Sequence, residues 1–260
     1  LNTVRVNLDW GMFQYKTTGG SIAIDTAALT ELDAVIDTAR ANGVYVILVP
    51  IHLRQPGSAC LAGGKPRLLN ATFNVPAWAW AKLSPPMTPG SDCANSYPAA
   101  FNDKVDDVVA ITEARTYLRT LAARYSDFST TAAANRSKTV VAIDLVNEMP
   151  ADGANVTART TKVLNVYKAM VDDLRTQTTA TSKIFVVGPS HGDTSLALSD
   201  ADLDAMSAGR TNIVLSLHDY FGGRPGGGTP LQGDATYGKG YGSGGWKSTT
   251  YQQFNDTTAS

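Results

Sequence analysis

The chain has 260 residues, of which 43% are hydrophobic, so it is long enough to form one large α/β domain with a sizeable core. Its net charge is −1 and it contains no basic run, which argues against nucleic acid or an anionic membrane surface as a partner. No apolar stretch reaches the ~18 residues that a transmembrane helix needs.

Charged residues make up only 17% of the chain, against about a quarter in an average soluble domain. Thr, Ser, Asn and Gly replace them, a composition common in exported proteins. Cys60 and Cys93 bracket a stretch rich in Pro and Gly, which favours a disulfide across a long loop, although two unrelated thiols would give the same sequence. A disulfide would contribute roughly 3–4 kcal/mol and would imply an oxidising compartment. We therefore expect a secreted protein.

The first part of the chain predicts a strand, a helix and a second strand. Residues 3–7 alternate as a strand, and Gly43 is placed to end the helix that follows. Residues 44–50 form a second apolar strand that leads to His52, after which a long loop runs from about 53 to 102. The helix is predicted from five apolar residues on one face: Leu29, Leu32, Val35, Ile36 and Ala39.

The second part alternates helices and strands in the same way. Its predicted helices cover 105–125, 163–174 and 201–206, and its predicted strands cover 140–147, 184–188 and 213–218. Such alternation is typical of a parallel sheet with crossover helices. From Gly222 to Gly245 the chain is rich in glycine and is expected to be irregular.

Two features favour a (β/α)8 barrel over an open doubly wound sheet. Polar residues end four of the strands, at Asn7, His52, Asn147-Glu148 and His218, and barrels place their chemistry at the carboxyl ends of strands. The first strand is not followed by the Gly-rich phosphate loop of a nucleotide-binding sheet. We expect one barrel domain over residues 1–260, with about five of the eight βα units in this chain.

The segment from Val140 to Pro150 carries the strongest chemical signal. An apolar run ends abruptly in Asn147-Glu148, and Glu148 is one of three Glu in the chain, against twenty Asp. A carboxyl group at the rim of a half-buried site tends to have a raised pKa, which suits a general acid.

Four strand ends together resemble glycoside hydrolase family 5, the cellulase and mannanase family. The segment 2–6 with Arg5 resembles that family's second strand, and 43–48 leading to His52 resembles its third. Asp144 to Glu148 resembles the fourth strand, and His218-Asp219-Tyr220 resembles the His-x-Tyr of the sixth. The third strand lacks the Asp that the family often has before the His, and Met149 separates Glu148 from Pro150.

The resemblance implies a retaining glycosidase that cleaves a β-linked polysaccharide, and we expect no metal and no cofactor. Glu148 would be the general acid/base, and Asn147 would bond the sugar's 2-hydroxyl. Arg5 would hold the nucleophile ionised, while His52, His218 and Tyr220 would bind or position the sugar. Most of them also have a structural alternative: a surface carboxylate for Glu148, an ion pair for Arg5, buried structural roles for the two His residues, and core packing for Tyr220. We expect a monomer.

The chain departs from the family in its C-terminal part. A retaining glycosidase uses two carboxylates, and the family's nucleophile is a Glu that ends the seventh strand. No Glu follows Glu148, so we expect that the chain lacks the outer strands of the barrel and that residues 1–260 alone are poorly stable. A non-catalytic carbohydrate-binding barrel would fit the same absence, and an unrelated barrel enzyme using His and Asp is a third hypothesis.

Aromatic side chains are candidates for sugar platforms because sugars present apolar C–H faces. Trp10 directly follows the first strand, and Trp78 and Trp80 lie in the long loop. If that part of the loop is extended, the spacing of two residues would put both rings on one side. We expect Trp10 and Trp78 to bind substrate, although the loop pair would equally serve to anchor the loop. The three His residues lack the spacing of metal ligands.

Overall fold

The computed structural model describes residues 2–52, 60–61, 65–66, 75–86, 105–147, 149, 156–176, 183–188 and 200–216. Glu148, Cys93, His218 and Tyr220 lie outside these residues, so the predictions made for them stay predictions. His52 is described by its backbone alone.

Strands and helices alternate along the described chain, as the sequence predicts. In chain order the elements are β1 (Thr3–Asn7), α1 (Trp10–Phe13), β2 (Gln14–Lys16), β3 (Ile22–Ile24), α2 (Thr26–Ala41), β4 (Tyr45–Val49), β5 (Ile51–His52), β6 (Cys60–Leu61), β7 (Lys65–Pro66), α3 (Ala77–Trp80), α4 (Val105–Val109), α5 (Thr112–Arg124), α6 (Thr131–Thr139), β8 (Val140–Asp144), β9 (Val146–Asn147), α7 (Val156–Arg175), β10 (Ile184–Val187), α8 (Asp200–Ser207) and β11 (Ile213–Leu215).

Five of these strands form one parallel sheet in the order β1-β4-β8-β10-β11. Arg5 of β1 is in register with Ile47 of β4, which is in register with Ala142 of β8. The inner strands β8 and β10 are almost entirely buried, which explains why they read as continuous apolar runs. The predicted α/β class, with parallel strands joined by crossover helices, is confirmed.

Local sequence explains where helix α2 begins and ends, but its helical spacing predicts one core side chain wrongly. Asp25 caps its first turn by accepting bonds from the backbone N–H groups of Ala27 and Ala28, and Gly43 follows its end with a φ of +67°, as expected of a glycine in that position. Val35, predicted to face the core, is 50% exposed. Asp33 is buried in its place at 4% exposure, because it bonds arginines from two other helices.

Other elements differ from the predicted pattern. The helix expected over 105–125 is two helices, α4 and α5, because Ile111 adopts an extended backbone between them. The β2–β3 hairpin and α6 were not anticipated. Among the described helices, none is both long and apolar enough to cross a bilayer.

Candidate active site

The carboxyl edge of the sheet is extended by a second, shorter pairing. Pro50 separates β4 from β5, and Leu145 separates β8 from β9. Beyond these breaks β5 and β9 pair in parallel, with His52 in register with Asn147. Two residues predicted from sequence to bind substrate therefore stand on neighbouring strands at the edge where barrels carry their chemistry.

Arg5 reaches this edge from β1 by crossing over β4. Its Nε donates to Asp144 Oδ2 at 3.1 Å, its Nη2 contacts the same oxygen, and Nη2 also donates to Asn147 Oδ1 at 2.6 Å. Asp144 and Asn147 are 2% and 3% exposed, so one guanidinium holds two buried polar groups. Arg5 therefore forms the ion pair expected of a structural role, and it also contacts Asn147, a predicted site residue.

The Arg5 contact fixes which way the Asn147 amide points. A guanidinium has only donors, so the amide atom facing it must be the oxygen. The NH2 group of Asn147 is left to donate elsewhere, and Glu148 follows it directly in the chain. An amide N–H that is free to donate is what the predicted contact from Asn147 to a sugar hydroxyl requires.

Tyr167 of α7 supports the same segment from the helix side of the sheet. Its hydroxyl donates to the Val146 carbonyl at 2.7 Å and lies 3.0 Å from the Gly188 carbonyl oxygen. Burial raises the pKa of Tyr167 well above its ordinary value, so the group keeps its proton as a donor. The backbone just before Asn147 is thereby tied to the end of β10.

Sequence reasoning did not anticipate Asp144 or Tyr167 as part of this site. A signal for Asp144 was present: it is the one charged residue within an apolar run, and a buried charge needs a partner. Arg5 is likewise the one charged residue of its strand. Tyr167 gave no such signal, because a tyrosine on an apolar helix face is ordinary core sequence.

Trp10, expected to offer a platform for sugar, lies in the core. It is 0% exposed, stacks on Tyr117 at a centroid distance of 6.1 Å, and donates through Nε1 to Gln14 Oε1 at 2.7 Å. A ring enclosed in this way leaves no face for a sugar, so the structure corrects this expectation. Trp10 lies shortly after β1 and Tyr117 belongs to α5, so the stacked rings hold the end of β1 against that helix.

The Trp78 side chain is partly buried, with its ring edge-on to Trp10 at 5.6 Å. The segment 77–80 is a short helix and is not extended, so Trp78 and Trp80 do not share a side as the spacing suggested. Trp80 is fully buried, as an anchor for the loop would be. Substrate binding by Trp78 stays a prediction.

Within the described ranges, no three His, Cys, Asp or Glu side chains come together as metal ligands would.

Comparison with known proteins places the chain in a family. The family model described as "Cellulase (glycosyl hydrolase family 5)" matches residues 1–256. A comparison with curated protein sequences found no match.

Among solved structures, endo-glycoceramidase II from Rhodococcus sp. in a cellobiose-like isofagomine complex matches at 20% identity with a TM-score of 0.54, over 84% of this chain and 49% of that one. An endogalactoceramidase matches at 21% identity with a TM-score of 0.47, over 73% of this chain and 41% of that one. XacCel5A in complex with cellopentaose matches at 19% identity with a TM-score of 0.45, over 85% of this chain and 53% of that one.

The chain thus spans about half the length of these solved structures. The family match and the parallel sheet confirm the predicted (β/α)8-barrel class, of which the described residues contain five barrel strands. The family model covers nearly the whole chain. The chain belongs to glycoside hydrolase family 5.

Proposed function

We propose that the protein is a retaining endo-glycosidase that cleaves a β-linked glycan, with Glu148 as general acid and then general base. The observation that carries the proposal is the bond from Arg5 to the Asn147 amide, directly before Glu148. Family membership supports glycosidase chemistry. This bond supports the placement of that chemistry at the carboxyl end of β8 and β9.

The chemistry assigns a role to each predicted residue. Glu148 protonates the departing glycosidic oxygen while positive charge develops on the sugar ring, and it later takes a proton from the attacking water. Asn147 donates to the 2-hydroxyl, a bond that strengthens as this charge develops. His52, His218 and Tyr220 bind sugar hydroxyls, and His52 is on the strand next to Asn147.

A retaining mechanism also needs a nucleophilic carboxylate about 5–5.5 Å from Glu148. Arg5 is the cation that would keep it ionised. The family resemblance makes this nucleophile a Glu, and none follows Glu148 within the 260 residues. We expect a 2-fluoro glycoside to label a Glu outside residues 1–260 of the full-length protein; label on an Asp within them would overturn this assignment.

Glu148→Gln tests the central assignment. The amide is nearly the same shape but cannot supply the proton, so turnover of natural polysaccharide should fall by about a hundredfold to ten-thousandfold, as loss of general acid catalysis does. Reducing-sugar release by the full-length protein measures it. Glu31→Gln, the same substitution on an exposed position of α2, is the matched control and should leave turnover unchanged.

The outcome against the proposal is near-wild-type hydrolysis by Glu148→Gln. Glycan binding by the wild type without any hydrolysis would instead favour the non-catalytic barrel. Digests of cellulose, mannan, xylan, β-1,3-glucan and a glycoceramide would then assign the substrate class.

We further propose that the protein is a monomer that acts outside the cell in polysaccharide degradation. Its low content of charged residues, 17%, fits the extracellular location.

A further inference from the structure

A cavity lies at the opposite edge of the sheet from the proposed catalytic site. It has a volume of about 250 Å³ and opens beside the first residues of β8 and β10. The residues that line it are Ser126, Phe128, Ser137, Val140, Val141, Lys183 and Ile184. Because it is at the amino ends of the strands, nothing in the glycosidase proposal uses it.

Lys183 brings a cation to this cavity. It is 7% exposed, and its Nζ donates to two backbone carbonyls, Ser137 O at 2.8 Å and Val140 O at 2.5 Å. Both acceptors are uncharged, and the ion pairs formed among the described residues do not include Lys183. A buried charge without an opposite charge is costly.

The ammonium has three N–H groups, so one remains after the two carbonyls are satisfied. Burial lowers the pKa of Lys183 to about 8, which leaves the group mostly protonated at neutral pH. The cavity therefore holds a positive charge that an anion would stabilise.

Ser126 adds a second polar group to the same wall. It is 1% exposed, and its Oγ has no hydrogen-bond partner within the described part of the chain. The neighbouring Ser137 hydroxyl is already used, since it donates to the Asp127 carbonyl at 2.7 Å. A buried hydroxyl without a partner destabilises the fold, and a ligand that accepts its hydrogen would remove that cost.

The remaining walls are apolar. Val140, Val141 and Ile184 line the inside, and Phe128 is 55% exposed. We propose that this cavity binds a small monocarboxylate with a short apolar tail, whose carboxylate meets the Lys183 ammonium and the Ser126 hydroxyl. At about 30 Å³ for each water, the volume corresponds to roughly eight waters, the size of a chain of about six carbons with its carboxylate.

Titration calorimetry with sodium hexanoate tests the proposal, with hexanamide as an uncharged ligand of the same shape. Hexanoate should bind saturably, and hexanamide should bind about tenfold more weakly or not at all, because it lacks the charge. Lys183→Met should weaken hexanoate about tenfold or more. Lys138→Met, which removes an exposed lysine from the end of α6, is the matched control and should bind as the wild type does.

Ser126→Ala provides an independent variant in case Lys183→Met does not fold, since it only removes a hydroxyl that lacks a partner. It should weaken hexanoate by about tenfold to a hundredfold, the worth of one hydrogen bond to a charged group. Absence of saturable binding, equal affinity for hexanamide, or unchanged affinity in either variant would each overturn the proposal.

Discussion

Asp144 acts on the proposed catalytic site through Arg5, which lies between it and Asn147. Asp144→Asn removes the charge that anchors the guanidinium, so the Asn147 amide loses its fixed orientation. A hydrogen bond to a charged group contributes about 1.5–3 kcal/mol, which corresponds to a fall in kcat/KM of about 10-fold to 100-fold. Steady-state kinetics of the full-length variant, with circular dichroism to verify folding, measure this loss.

The route of this effect through Asn147 is tested with a 2-deoxy glycoside. That substrate has no 2-hydroxyl to meet the amide, so the loss of kcat/KM caused by Asp144→Asn should be several-fold smaller on it than on the natural substrate. An equal loss on both substrates would show that Asp144 acts by another route. Asp173→Asn is the matched control, because Asp173 also receives an arginine, Arg119, through Nε at 2.8 Å, but between helices α5 and α7.

At the scale of elements, Asp33 joins three helices. Its carboxylate receives Arg124 Nε at 2.8 Å, Arg136 Nη1 at 2.5 Å and the Tyr125 hydroxyl at 3.1 Å, so α2, α5 and α6 meet on one buried charge. Asp33→Asn leaves Arg124 without its counter-charge and leaves Arg136 paired with Asp37 alone. Removing one partner of a buried pair is strongly destabilising, and we expect the free energy of unfolding to fall by about 2–4 kcal/mol. Urea titration followed by tryptophan fluorescence measures it.

Asp37→Asn is the control for this network, since Asp37 bonds the same Arg136 but its side chain is 46% exposed. It should cost about 0–1 kcal/mol. The hydrogen bond from Arg136 lowers the pKa of Asp37, so its contribution is present above the usual carboxyl range and is lost as the pH falls through the lowered pKa. A loss in Asp37→Asn as large as that in Asp33→Asn would show that burial does not set the energy of the network.

The same elements show what sequence patterns carry and what they omit. Apolar runs and helical spacing predicted the five strands of the sheet and most of the helices between them, though not α6, because burial selects those patterns directly. These patterns predicted that Val35 is buried and did not predict that Asp33 is, because the partners of Asp33 are about ninety residues away in the chain. The tie between Arg5 and Asp144 spans 139 residues and crosses another strand, so no local pattern contains it.

At the scale of the whole molecule, the sheet has two outer strands, β1 and β11. In the described part of the chain each pairs with one neighbour, and each exposes an apolar side chain, Val4 at 45% and Val214 at 46%. Unpaired strand edges invite association with other chains, and each of these Val residues, about half exposed, forgoes about half of the ~1.5–3 kcal/mol that full burial contributes. Tyr45 on β4, beside β1, is also 46% exposed.

We therefore expect residues 1–260, produced alone, to unfold over a broad temperature range and to aggregate on heating. Differential scanning calorimetry and light scattering measure both, with the full-length form of the protein as the reference. Adding lysine at both edges, as Val4→Lys with Val214→Lys, should reduce aggregation without sharpening the melt, because charge blocks edge pairing but restores no burial. A single sharp, reversible transition above about 60 °C for residues 1–260 would contradict the expectation, since mesophilic domains with complete cores melt cooperatively in about that range.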